Sequence, residues 1–367
     1  MNIVFLASAI NVHTIRWVNK LVEMGNSVSV ISCRDHVHLG TEKTEMVDKV
    51  DVYTLPFSSL SGVGYFLNAR ACRKIVNKLA PDVVNAHYAS GYGTLARVAR
   101  LEPVALSVWG SDVYLFPDRS KWHRLLLVSN LKYADLVMST SEIMAERVKT
   151  LMDDDTLQIP ITPFGVDIEK FSVKKLEQSE RKQISIGIIK SLKRIYGIEN
   201  LIEAVGIIRD TGDQTVSNLI VNIFGDGPHR QSLEEQVKSL GLESYFRFHG
   251  VIPNKKVPEV LSEIDIYVLP SLHESFGVAA VEAMASGIPV IASDAPGLLE
   301  VVTDNVNGIR FHAGESGELA EAITRLMLDA ELRQQLGAAG RAEVERRFIF
   351  DQNAKTLVES LESLVAK

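Results

Sequence analysis

The chain reads as two doubly wound α/β domains in tandem, facing one another across a deep cleft. Three observations predict this. Short, nearly continuous apolar runs recur along the sequence, as strands buried on both faces require. Segments with helical periodicity lie between them, and alternating strand and helix imply parallel sheets with crossover helices. The order then runs twice, before and after the polar stretch SVKKLEQSERKQ at residues 172–183, which is read as a linker. A chain of 367 residues has room for two such domains.

The first series of expected strands covers residues 3–7, 28–32, 83–86, 104–108 and 136–140. The second covers 184–189, 219–224, 266–269 and 289–292. Between them, Leu201, Ile202, Val205 and Ile208 recur at helical spacing, as do Leu319, Ala322, Ile323 and Leu326. The expected division is 1–172 for an N-terminal domain, 173–345 for a C-terminal domain and 346–367 for a helical tail that packs back on the first. Doubly wound domains bind ligands at the carboxyl ends of their strands. Two of them facing would enclose a water-excluding cleft suited to joining two substrates.

Composition narrows the function classes. The sequence is 46% hydrophobic and 23% charged, which speaks against disorder. No apolar run approaches the roughly 18 residues of a membrane span. MNIVFLASAI lacks a basic leader and reads as a buried first strand, not a signal peptide. Cys33 and Cys72 are too few for a disulfide framework or a cysteine zinc site, so a reducing cytoplasm is expected. Residues 1–172 carry 18 basic and 18 acidic side chains and the remainder 21 and 28, so neither half offers nucleic acid a basic face.

The stretch PSLHESFGVAAVEAMASGIPVIAS, residues 270–293, carries the most chemistry. An expected strand ends in a polar loop with Glu274, Ser275, Phe276 and Gly277, and a helix follows from about Val278. Free N–H groups and the positive dipole end at its start suit a phosphate, and Gly277 permits close approach. Glu282 lies one turn in, where a carboxylate can accept from two ribose hydroxyls. It is embedded in VAAVEAMA, and a glutamate in so apolar a helix needs a partner. Glu274, on the loop, can reach a sugar.

This arrangement resembles family 4 of the retaining glycosyltransferases, the group 1 glycosyl transferases of GT-B fold. The resemblance rests on Glu274-x7-Glu282 with Ser-Phe-Gly after the first Glu and Ala-x-Gly-x-Pro-Val after the second. It extends upstream through FGVD at 164–167, Phe171 and the GDGP at 225–228, and downstream through Pro296-Gly297, Glu300-Val301 and Asn307-Gly308.

In GIIKSLKRIYGIENLIEA, residues 187–204, Lys190 and Lys193 follow a strand. Two cations there can neutralise a diphosphate as charge builds on the leaving group. Relatives usually place an Arg or Lys and then a Lys here. The longer spacing to Gly197 makes Arg194 a rival to Lys193. Gly225 and Gly227 form a Gly-x-Gly turn, but Arg230 stands where the dinucleotide fingerprint needs a third glycine. The resemblance implies that this loop lies beside base and diphosphate, with Val251 near the base.

The N-terminal half is the acceptor side in this fold. Asn11 and His13 in the first loop, His87 and Tyr92 in HYASGYG, and Trp109 in SVWGSDVY are its candidates, and Asp112 matches a family aspartate counted with the catalytic residues. Trp109 stands where relatives commonly have a histidine that touches the transferred sugar. Tryptophan cannot accept that hydrogen bond and can stack on a sugar face. Arg119, Lys121, Trp122 and Arg124 beside 125–128 suit either a membrane interface or packing on the helix's own domain.

The resemblance implies a nucleoside-diphosphate-sugar donor, UDP before GDP, and a glycan or lipid-linked acceptor in cell-surface polysaccharide synthesis. It places the enzyme in the cytoplasm or at the inner face of the membrane. No cofactor and no metal are expected, because no Asp-x-Asp stands at the diphosphate position. A nicotinamide-dependent oxidoreductase would need glycines that the first loop lacks. A sugar-nucleotide epimerase of the same fold, or a non-catalytic nucleotide-sugar-binding subunit, remains as an alternative.

Overall fold

The computed structural model describes residues 1–37, 46, 48–171, 183–213 and 218–366. The chain divides into two compact units, Met1–Phe164 with Asp351–Lys367, and Gly165–Phe350. The linker stretch lies outside the described residues apart from Gln183.

Six strands build the first unit: β1 (Asn2–Leu6), β2 (Ser27–Ser32), β3 (Asp51–Thr54), β4 (Val83–His87), β5 (Val104–Val108) and β6 (Leu136–Ser139). Their order is β3-β2-β1-β4-β5-β6, and every pairing is parallel. All of β4 and β5 is buried, which explains their unbroken apolar runs. The final helix, Phe350–Val365, belongs to this unit from Asp351 onward. Lys20 Nζ pairs with Asp351 at 2.7 Å, and the Asn353 amide donates to the Pro163 carbonyl at 3.1 Å.

The second unit repeats the plan with β7 (Ile184–Ile189), β8 (Leu219–Phe224), β9 (Phe246–Gly250), β10 (Ile266–Leu269), β11 (Val290–Ser293) and β12 (Ile309–Phe311). The order is β12-β11-β10-β7-β8-β9, again all parallel. The same winding therefore occurs twice. β3, β9 and β12, absent from the expected strands, are all edge strands. Each has partly exposed residues, so none has a continuous apolar run. Among the described residues no helix is long and apolar enough to cross a membrane.

Candidate active site

In a doubly wound sheet the crevice opens where the winding reverses, between the first and fourth strands of each series. In the second unit that point is the carboxyl edge of β7 and β10. Lys190 is the first residue past β7, and its N–H still donates to the Phe224 carbonyl at 2.9 Å. Glu274 stands on the loop after β10. The fold joins them: Lys190 Nζ lies 2.5 Å from Glu274 Oε2, with the side chains only 15% and 11% exposed. The other carboxylate oxygen of Glu274 accepts from the Ser275 N–H at 3.2 Å.

Tyr267, buried in β10, braces this edge. Its hydroxyl accepts from the Ile189 N–H at 3.0 Å and donates to the Ile189 carbonyl at 3.3 Å. Burial keeps the phenol protonated, with Glu282 and Glu274 adding to the shift.

The expected helix runs Val278–Ala285. Five of its eight residues are buried, while Val278, Ala279 and Glu282 are partly exposed and share one face. Gly277 caps it at φ 89°, and a Cβ there would lie 2.6 Å from Leu298 Cδ2. Beneath the loop, Gly297 donates its N–H to the Glu274 carbonyl at 3.0 Å, and a Cβ on Gly297 would lie 2.4 Å from the Phe276 nitrogen. The Phe276 ring, expected among the donor-binding residues, lies beneath the loop. It is 2% exposed and meets Phe348 edge to face at 5.6 Å, so it anchors the loop from below.

Gly225 and Gly227 prove to be needed by the protein's own backbone. A Cβ on Gly225 would lie 1.9 Å from the Lys190 carbonyl oxygen, and one on Gly227 2.4 Å from that of Leu192. The Leu192 N–H also donates to the Asp226 carbonyl, so this turn holds the lysine loop in place. Arg230 pairs with Asp226 at 3.3 Å and Glu234 at 2.8 Å. Lys193 and Arg194 are exposed, and Val251 is 76% exposed. Sequence reasoning passed over Tyr196, whose ring centroid lies 4.4 Å from Lys190 Nζ. Its only signal was its place just before the helix-opening Gly197.

In the first unit, His13, His87 and Trp109 come together as expected candidates, joined by Tyr88 and Phe164. The His13 ring stacks on Phe164 at 4.0 Å, and Trp109 lies 4.2 Å from His87, 5.3 Å from Tyr88 and 5.1 Å from Phe164. Burial first, and then His13, push the His87 pKa down to about 3. The neutral ring has Thr14 Oγ1 3.5 Å from its Nδ1.

Three candidates of this unit have structural duties. Asn11 caps the helix Val12–Glu23, its oxygen accepting from the N–H groups of His13 and Thr14. Tyr92 is 2% exposed, and its hydroxyl accepts from the Cys33 N–H at 3.1 Å and meets His36 Nδ1 at 2.8 Å. Its ring lies in the core of the first unit. Asp112 is 1% exposed and accepts from the N–H groups of Ala89, Trp109 and Gly110. Burial raises its pKa against those three bonds. With both oxygens so engaged, Asp112 organises the loop that carries Trp109.

Two parallel doubly wound units, with a lysine and a glutamate paired at a switch point, define the class as doubly wound α/β proteins with a polar crevice. The profile of the glycosyl transferases group 1 matches residues 168–343, and that described as glycosyl transferase 4-like matches residues 2–141. The chain belongs to the group 1 glycosyltransferases and has their GT-B fold. It is 26% identical over 362 residues to a D-inositol 3-phosphate glycosyltransferase of Corynebacterium urealyticum, spanning 94% of this chain and 83% of that one. A sucrose-phosphate synthase of Thermosynechococcus elongatus superposes with a TM-score of 0.82 at 19% identity, over 100% of this chain and 99% of that one. HepE of Anabaena, solved in complex with UDP, gives 0.78 at 20% identity, over 99% and 100%.

Proposed function

We propose that the chain is a retaining, metal-independent glycosyltransferase moving a sugar from a nucleoside-diphosphate sugar to a hydroxyl of a glycan or lipid-linked acceptor. A UDP-sugar is favoured over a GDP-sugar, and cell-surface polysaccharide is the setting. The observation that carries the reading is Lys190, held beside Glu274 at the switch point next to the helix bearing Glu282. In this reading Glu282 receives the ribose hydroxyls. Lys190, with Lys193 or Arg194, neutralises the diphosphate, and Glu274 contacts the sugar. The bond from the anomeric carbon to the phosphate oxygen breaks while the acceptor oxygen bonds the same face. The acceptor proton passes to the departing phosphate.

The test is thermal stabilisation by UDP, GDP, ADP, CDP and TDP, with Glu282→Ala alongside. A ligand at about 100 times its Kd stabilises by roughly 2.7 kcal/mol. One nucleotide should stabilise the wild type and not the variant. No response to any of them would overturn the donor site and favour a non-catalytic role. Free sugar released without an acceptor would favour the epimerase, and activity abolished by a chelator would refute metal independence.

Contact with the inner membrane face belongs to the same reading. Phe57, Leu60, Val63, Phe66 and Leu67 are exposed on the first unit, beside exposed Arg70, Arg73, Lys74 and Lys78. Residues 56–81 contain no carboxylate side chain. Trp122 and Leu125 add a second exposed pair flanked by Lys121 and Arg124. Apolar side chains beside a run of cations match an anionic bilayer, with Asp35 on Ser59 the carboxylate at the patch's edge. The chain should sediment with vesicles rich in anionic lipid and not with neutral ones. Equal recovery with both would refute the contact.

A further inference from the structure

We infer that Tyr196 is a positioning residue of the donor site, acting through Lys190. This rests on the reading of Lys190 as the diphosphate cation. The Lys190 ammonium has three donors and, among the described residues, two recorded partners. One is Glu274 at 2.5 Å, and the other is the face of Tyr196, 4.4 Å away at the ring centroid. The two neighbours act differently. A carboxylate draws the ammonium by neutralising it, which weakens its hold on a phosphate. An aromatic face attracts the cation and leaves its full charge in place. The ring therefore holds the ammonium, already paired with Glu274, from a second side without drawing on its charge.

The backbone ties the three groups together. Tyr196 closes the single 3-10 turn Arg194–Tyr196, and Gly197 follows at φ 59°. A Cβ on Gly197 would lie 2.1 Å from the Pro270 carbonyl oxygen. The Ile195 carbonyl accepts from the N–H groups of Leu272 and His273 at 2.9 and 3.1 Å. The turn bearing Tyr196 is thus fastened to the loop bearing Glu274. Lys193 and Arg194, on the same connection, are exposed to solvent. The aromatic ring, and not a second cation, is what meets Lys190.

The experiment is calorimetric binding of UDP and of uridine to the full chain, comparing wild type, Tyr196→Phe and Tyr196→Leu. Phenylalanine keeps the ring and should bind UDP within twofold of wild type. Leucine should lose roughly tenfold for UDP, about 1.4 kcal/mol, and less than twofold for uridine, which has no phosphate. Unchanged UDP affinity in Tyr196→Leu overturns the inference. So does an equal loss for both ligands, or a loss in Tyr196→Phe as large as in Tyr196→Leu. Should the leucine variant not fold, Tyr196→Met provides the same comparison. Lys190→Met separates the two levels: if it binds UDP as wild type does, the donor reading falls and Tyr196 with it. If it loses UDP while Tyr196→Leu does not, only the Tyr196 inference falls.

Discussion

Gly225→Ala tests how closely the backbone of the proposed donor site is packed. Gly225 has φ +135°, and its added Cβ would lie 1.9 Å from the Lys190 carbonyl oxygen and 2.8 Å from the carbonyl carbon. Both atoms are main chain, so no side-chain rotation relieves the contact. Positive φ costs an alanine about 1–2 kcal/mol, and overpacking adds about 1–3 kcal/mol. The total is about 3 kcal/mol, borne by the unit Gly165–Phe350. For a unit of this size 1 kcal/mol moves Tm by about 2–4 °C, so a drop of about 6–12 °C is expected by calorimetry. Gly287→Ala is the control, with φ +68° and no heavy atom within 4 Å of the added Cβ. Strain alone there costs about 1 kcal/mol. UDP affinity should fall at least tenfold in Gly225→Ala, because Lys190 must move, and stay near wild type in Gly287→Ala. Equal melting of the two variants would refute the packing argument.

Four further outcomes follow from individual side-chain contacts. Lys190→Met should destabilise the fold by about 2 kcal/mol, since it strands a largely buried carboxylate, and should abolish UDP binding. Glu274→Gln should bind UDP at least as tightly as wild type, having lost the carboxylate that competes for Lys190, while transfer falls about 100-fold or more. Equal UDP loss in both variants would refute this. Asp112→Asn should cost about 2–3 kcal/mol, because one amide oxygen cannot replace a carboxylate accepting three N–H bonds; denaturant melts unchanged from wild type would exclude the role. His87 is held neutral, with its pKa at about 3 against an ordinary value near 6.5. Its contribution is complete above pH ~6.5 and is lost as the pH falls toward 3, because only the unfolded chain takes up the proton. The slope is about 1.4 kcal/mol per pH unit. His87→Gln should flatten that part of the stability profile, and an unaltered slope would contradict it.

The winding was legible because buried parallel strands announce themselves as apolar runs, and β7, β8 and β10 have the expected bounds. β3, β9 and β12 were not, since an edge strand needs an inward face only and its pattern dissolves into turn residues. At the site, Glu274 and Lys190 were legible from residue type and place after a strand. The roles of Gly225, Phe276 and Asp112 were not. The packing of each depends on neighbours remote in sequence, as Lys190 finds Glu274 84 residues away. Tyr196 escaped for the same reason. An aromatic residue gives no sign in sequence of which cation its face will meet.

Charge makes a last outcome calculable in sign. The acidic excess falls outside residues 1–172, which balance 18 against 18, while the remainder carries 21 basic and 28 acidic side chains. A nucleoside diphosphate approaching the second unit thus meets a repulsive net field at long range and Lys190, Lys193 and Arg194 only at contact. Salt acts unequally on the two. At 0.1 M the screening length is about 10 Å, so the distant repulsion fades, while the contact with Lys190, whose side chain is 15% exposed, is much less screened. The association rate of a fluorescent UDP analogue, followed by stopped flow, should therefore hold or rise between about 0.02 and 0.2 M salt. A positively steered site would lose tenfold or more over such a range. A steep fall would mean that exposed Lys193 and Arg194 dominate the approach, and would return to them the part in capture here proposed for Lys190.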